Sequence, residues 1–136
     1  MGKLEAKNIE KFFQHDGKPL KTLGGVNLTV EDGEFVCVVG PSGCGKSTFL
    51  RILAGLERPD SGEIMLDGKK LEDTGPDRIM VFQEGALFPW LTVQDNVEYG
   101  LKIAGIPKNE RNEISNRYLD MMQLTQFANS YTYQLS

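Results

Sequence analysis

A chain of 136 residues is long enough for one domain and too short for two. Hydrophobic residues at 40% and charged residues at 25% are ordinary for a globular protein, which excludes the disordered and fibrous classes. A net charge of -4 gives no general reason to expect a nucleic-acid partner, so any affinity for phosphate must be local.

The N-terminus MGKLEAKNIE lacks the apolar stretch of a secretory signal, and no apolar run is long enough to cross a bilayer; the expected compartment is the cytosol. Residues 4–13 mix apolar and polar side chains loosely at period two until His15-Asp16-Gly17-Lys18 breaks the pattern as a hairpin turn would. Val26, Leu28 and Val30 then alternate with Asn27 and Thr29 up to a second turn at Asp32-Gly33. An antiparallel β unit is expected here. His15, the only histidine, reads as a solvated turn residue.

Phe35, Val36, Cys37, Val38 and Val39 form an unbroken apolar run, the pattern of a strand buried on both faces of a parallel sheet. A glycine-rich turn follows at once. Gly40, Gly45, Lys46 and Ser47 fit G-x-x-x-x-G-K-[ST], and Lys46 opens an apolar-periodic helix through Phe49, Leu50, Ile52 and Leu53 to Gly55. The two cysteines, Cys37 in the run and Cys44 in the turn, have no second pair with which to make a metal site and read as reduced thiols.

Residues 58–62 (RPDSG) form a loop, 63–66 a short strand, and Asp67-Gly68 a tight hairpin turn. A second apolar run, RIMVF at 78–82, ends at Gln83-Glu84 and reads as another short strand. EGALFPWL at 84–91 is a proline-interrupted loop rich in aromatics. Thr92 with Asp95 three residues on starts a helix that continues to about Ala104, stopped by Gly105 and Pro107. A last helix spans roughly 110–123; its stripe of Ile114, Tyr118, Met121 and Met122 reads as core packing.

The motif has a direct chemical reading. Small residues let successive N–H groups turn inward, and the partial positive charge of the helix start adds to them, so residues 40–48 (Gly40, Pro41, Ser42, Gly43, Cys44, Gly45, Lys46, Ser47, Thr48) are expected to grip a di- or triphosphate. Lys46 would reach the β and γ phosphates and the Ser47 hydroxyl would ligate Mg²⁺. A phosphate loop by itself leaves kinases, GTPases and transport ATPases open. The chain has no N-K-x-D guanine-reading motif, which disfavours a GTPase.

The chain resembles the ATP-binding subunit of an ABC transporter along its whole length. Residues 40–48 look like that family's phosphate loop, AGLERPDSGEIMLDG like the segment after it, and VFQEGALFPWLTVQDNV like its Q-loop and following helix. Tyr133-Gln134-Leu135-Ser136 looks like the approach to the L-S-G-G-Q signature, with two of its residues present. PDRIMVFQ with FPWLTVQDNV is most similar to importers of nitrate, sulfonate or taurine. The resemblance implies an α/β fold: a P-loop NTPase core with an N-terminal antiparallel β unit and a helical segment. It also implies one nucleotide-binding domain, divided into a β unit with phosphate-loop core (1–83) and a Q-loop with helical part (84–136).

Carried onto this sequence, the resemblance makes Phe13 the ring that stacks on adenine, with Phe12 the alternative one residue away and strand-end packing the competing explanation. Gln83 would touch Mg²⁺ and orient the attacking water. ATP and Mg²⁺ are the implied cofactors, with Lys46 and Gln83 in the catalytic machinery. Loop 84–91 would receive a transmembrane permease subunit, or else be buried beneath the helical part. Further implied partners are a second ATPase subunit, as a homodimer, and indirectly a periplasmic or lipid-anchored solute-binding protein. The implied place is the cytoplasm, peripheral on the inner face of the membrane.

The family's second nucleotide motif, water-polarising glutamate and switch histidine follow the signature, as do the strands that flank the phosphate-loop strand. Two expectations follow. The 136-residue chain alone should hydrolyse ATP negligibly, and residues 35–39 should lie at an open edge, in a rearranged sheet or under a partner chain. Two other functions remain open: a small kinase using Glu84 or Asp67, and a non-catalytic nucleotide-binding interaction module.

Overall fold

A computed structural model of the chain describes residues 2–83 and 85–135. It divides into two compact units, residues 1–80 and 81–136.

The first unit is built on an antiparallel sheet. Strand β1 (Leu4–His15) pairs with β2 (Lys18–Val30) and, on its other side, with β3 (Ser61–Leu66), which pairs in turn with the short β4 (Lys69–Lys70). The two hairpins expected at Asp16-Gly17 and Asp67-Gly68 are present. Asp16 and Gly17 have φ of 50° and 73°, as do Asp67 and Gly68, so each pair adopts the two positive φ angles that a two-residue hairpin with the right twist requires.

The loose periodicity of the first strand has a structural cause. The β1–β2 register slips between Ala6 and Ile9, where Asn8 takes a φ of 51° and its N–H donates to Asn27 Oδ1 at 2.9 Å. This bulge turns Ala6 and Ile9, three residues apart, to the same side. Both are buried with Leu23 and Ile64 against Phe49 and Ile52 of helix α1 (Lys46–Leu53). Burial of a side chain of this kind contributes roughly 1.5–3 kcal/mol, so this cluster fixes the helix on the sheet.

Residues 35–39 do not form the expected strand. They are extended chain outside any sheet; Phe35 is 92% and Val39 86% exposed, and Cys37 is exposed rather than buried. Residues 78–82 also lack strand structure, with Ile79 and Val81 each 88% exposed. The physical reason is shared. A parallel strand satisfies its N–H and C=O groups only between two neighbours, and among the described residues none pairs with either segment. The four-stranded sheet is therefore antiparallel throughout, and its parallel counterpart is not formed.

The second unit holds helices α2 (Val93–Ile103) and α3 (Lys108–Met121). The expected cap of α2 is present: Thr92 Oγ1 accepts from the Asp95 N–H at 3.0 Å and donates to the Asp95 carboxylate at 2.6 Å. The stripe expected to pack on α3 does not. Tyr118, Met121 and Met122 are exposed, whereas Ser115 and Leu119 are buried. The contact between the helices is largely polar. Ser115 Oγ donates to Glu98 Oε1 at 3.0 Å, Gln94 donates to Ser115 and Asn116, and Arg111 meets Glu98 at 3.4 Å. An apolar-periodicity argument searches for the wrong side chains here.

Candidate functional site: the glycine-rich loop at the head of α1

Most helix starts carry a side-chain cap or an acid that answers the unpaired N–H groups and the positive end of the dipole. Helix α2 has both Thr92 and Asp95, and α3 has Glu110 in its first turn. Helix α1 has neither a capping side chain nor an acid there, and it opens on a lysine. A cation at the positive end of a helix is locally unfavourable, whereas an anion there is favoured.

Glycine at two positions makes the approach sterically feasible. Gly43 and Gly45 have φ of 78° and 95°, a region other residues enter at a cost. Gly45 also has no room for a side chain: a Cβ would lie 2.8 Å from Leu23 Cδ2 and 3.0 Å from the Thr22 carbonyl oxygen. The loop thus sits directly on β2 at Thr22 and Leu23. A Cβ on Gly40 would meet Cys44 Sγ at 2.8 Å, so the loop's two arms are in contact as well.

Lys46 closes the turn on itself. Its Nζ donates to the carbonyl oxygens of Gly40 and Pro41, both at 2.7 Å, and lies 3.7 Å from Cys44 Sγ. Neutral carbonyls are weaker partners for an ammonium than phosphate oxygens, and the lysine stem is flexible enough to exchange one for the other. Pro41, Ser42, Gly43, Cys44 and Ser47 are exposed, while Gly45, Lys46 and Thr48 are partly buried. The expected phosphate-loop residues are thus together on one turn.

The other expected residues are placed separately. Phe13 is 41% exposed near the end of β1, with the Lys11 ammonium 5.5 Å from its ring centroid; Phe12, 40% exposed, has Lys21 at the same distance. Gln83 is exposed in non-strand chain at the start of the second unit. Asp67 is a turn residue whose Oδ1 accepts from the Lys3 N–H at 2.8 Å. Glu84 and Ser136 lie outside the described residues. His15, the last residue of β1 beside the turn, is exposed and 3.3 Å from Asp16.

In loop 84–91, Leu87 and Trp90 are 60% and 69% exposed, while Phe88 is half-buried with its ring 4.3 Å from Tyr99 and 5.6 Å from Trp90. Asn96 secures the loop by accepting the Phe88 N–H at 2.8 Å and donating to the Phe88 and Leu91 carbonyls. Among the described residues no group of three or more His, Cys, Asp or Glu could hold a metal. No described helix is long and apolar enough to cross a membrane. Surface hollows in the first unit are lined by Arg58, Glu63 and Lys70 rather than by the loop.

Sequence reasoning missed the loop's seat. Thr22 and Leu23 carry no local motif, and only the packing of Gly45 against them gives them a part in the site.

The ABC transporter family profile matches residues 23–136. The chain belongs to the ABC transporter family. Relatives include the nitrate import ATP-binding protein NrtD of Synechocystis sp., 45% identical over 133 residues covering 98% of this chain and 50% of that protein. The taurine import ATP-binding protein TauB of Pseudomonas aeruginosa is 43% identical over 136 residues, covering 100% of this chain and 52% of its own. The chain spans about half the length of the curated relatives it matches. Among solved structures, a dimeric ATP-binding cassette in a post-hydrolysis state, bound to ADP and Pi, superposes with a TM-score of 0.84 at 35% identity, covering 98% of this chain and 63% of that one. The α/β fold class, with its antiparallel β unit, phosphate loop and helical segment, is therefore that of an ABC cassette.

Proposed function

We propose that this chain is the ATP-binding part of an ABC import ATPase: residues 40–48 bind the phosphates of ATP, Ser47 ligates the accompanying Mg²⁺, Gln83 is the Q-loop glutamine, and Phe13 stacks on the adenine. The carrying observation is the head of α1, which lacks a capping side chain, bears a lysine, follows two positive-φ glycines and rests on β2 through one of them, Gly45. On nucleotide binding Lys46 leaves the Gly40 and Pro41 carbonyls for phosphate oxygens. The N–H groups of the first turn donate to the same anion; the Ser47 hydroxyl would hold Mg²⁺, which when bound would offset part of the phosphate charge. Lys46 stabilises charge during transfer, and the Gln83 amide orients water without acting as a base.

In this reading residues 1–136 are the N-terminal part of one nucleotide-binding domain, with 1–83 as the phosphate-loop core and 84–136 as the Q-loop and helical part. It acts in the cytoplasm on the inner face of the membrane, as one of two identical ATPase subunits. Leu87 and Trp90, exposed aromatic and aliphatic anchors on a loop fixed by Asn96, suit a permease contact. A solute-binding protein delivers the cargo to the permease. The nitrate and taurine importers among the relatives favour a small solute of nitrate, sulfonate or taurine type.

Calorimetric titration of the 136-residue chain with Mg²⁺-ATP tests the reading. Lys46→Ala should weaken binding at least about tenfold, in line with loss of a charge-assisted contact; unchanged affinity would overturn it. Phosphate release by the same chain should be negligible, since Lys46, Ser47 and Gln83 are only some of the groups phosphoryl transfer needs. Mg²⁺-dependent turnover abolished by Lys46→Ala would refute that second expectation.

A further inference from the structure

Phe12 and Phe13 both stand near the end of β1 at almost equal exposure, and each carries a lysine ammonium 5.5 Å from its ring centroid. The two lysines are held very differently. Lys21 is 48% exposed and bound to Glu10 at 2.6 Å, itself about one-third exposed. Lys11 is 12% exposed and anchored on three sides: to the Arg58 carbonyl at 2.7 Å, to Glu57 Oε1 at 2.9 Å and to Asp60 Oδ1 at 3.7 Å. The same Asp60 accepts the Phe12 N–H through its other oxygen at 2.7 Å, and its own N–H donates to the Glu10 carbonyl at 2.9 Å. The turn that follows α1 therefore grips both the backbone and the ammonium beside the Phe13 ring.

The register sets Lys11, two residues before this ring, opposite the seat of the phosphate loop. Leu23, on which Gly45 rests, pairs with Lys11, and Phe13 follows two residues along the strand, on the order of 7 Å away at about 3.3 Å per residue. We propose that Lys11, fixed by Glu57, Asp60 and the Arg58 carbonyl, is a positioning residue that holds the Phe13 ring with one face on its ammonium and the other presented to the base of a bound nucleotide. This rests on the reading of Phe13 as the base-stacking ring. A ring pinned by a cation only 12% exposed loses little freedom on binding, and a cation on one face draws π density away from the other, which eases stacking of a second π system there. Lys21, half-exposed and ion-paired among the described residues with Glu10, gives Phe12 no comparable anchor.

The test compares ATP with inorganic tripolyphosphate, which presents the phosphates without a base, by calorimetry on the whole chain. Lys11→Met, which keeps the stem and removes the charge, should weaken ATP about three- to tenfold and leave tripolyphosphate unchanged. Glu57→Gln, which loosens the anchor and keeps the ammonium, should give a smaller loss of the same kind and provides the readout should Lys11→Met fail to fold. Equal weakening of both ligands in either variant would mean a merely structural lysine and overturn the proposal. Phe13→Ala separates the two ideas. If it lowers the ATP to tripolyphosphate ratio while Lys11→Met and Glu57→Gln do not, the ring stacks on the base without help from Lys11 and only the present proposal falls. If Phe13→Ala leaves the ratio unchanged, the base-stacking reading of Phe13 fails, and this proposal with it.

Discussion

Two residues carry much of the local argument. Gly45 occupies φ 95° with Leu23 and Thr22 at 2.8 and 3.0 Å from where a Cβ would be. Gly45→Ala combines backbone strain with a clash against a buried neighbour, so it should destabilise the chain by about 1–3 kcal/mol in urea unfolding and abolish nucleotide binding. Glu10 is the second. The Lys21 ammonium that hydrogen-bonds to it, joined by the Ser61 hydroxyl, holds its carboxyl below the usual carboxylate range. A carboxyl whose folded pKa is depressed adds stability above its unfolded pKa and loses that contribution as pH falls through the folded one. Thermal melts between neutral and acid pH should therefore fall less steeply for Glu10→Gln than for the parent chain in that acid window.

At the scale of the element, the three helices show how a rule and its breach are both informative. Helix α2 follows the rule with Thr92 and Asp95. Thr92→Ala should cost about 1 kcal/mol, readable as a lower urea midpoint with an unchanged slope. Helix α1 breaks the rule, giving up local stability at the head that the proposed function assigns to phosphate. The bulge at Asn8 makes the same point for a strand. One residue in the left-handed region reconciles Ala6 and Ile9 on a single face, and a strict period-two reading cannot find it. Helix α3 marks the limit of periodicity, because its buried side is selected by Glu98 and Gln94 across the contact rather than by its own apolar residues.

Over the whole molecule, the consequence of the missing parallel layer is exposed apolar chain. Phe35, Val36, Val38, Val39, Ile79 and Val81 are all exposed, a composition suited to an interior or an interface. The 136-residue chain should accordingly bind an apolar dye and associate with rising concentration. Replacing Phe35 and Val39 together with serine should reduce both, as read by dye fluorescence and by light scattering after size exclusion. A parent chain that elutes as a dye-silent monomer at all concentrations would contradict this.

Sequence alone determined whatever depends on neighbours along the chain. The Asp16-Gly17 and Asp67-Gly68 turns, the Thr92 cap, the helix after Lys46 and the composition of the phosphate loop are set by φ preferences and by hydrogen bonds spanning a few residues, so the residue order fixes them. Tertiary structure decided what depends on partners distant in sequence. Residues 35–39 and 78–82 are apolar enough for strands yet form none, since a strand exists only with a neighbour to take up its backbone hydrogen bonds. For the same reason Thr22 and Leu23 as the seat of the loop, and Lys11 beneath Phe13, became visible only when packing brought residues 45 and 57–60 against the first two strands.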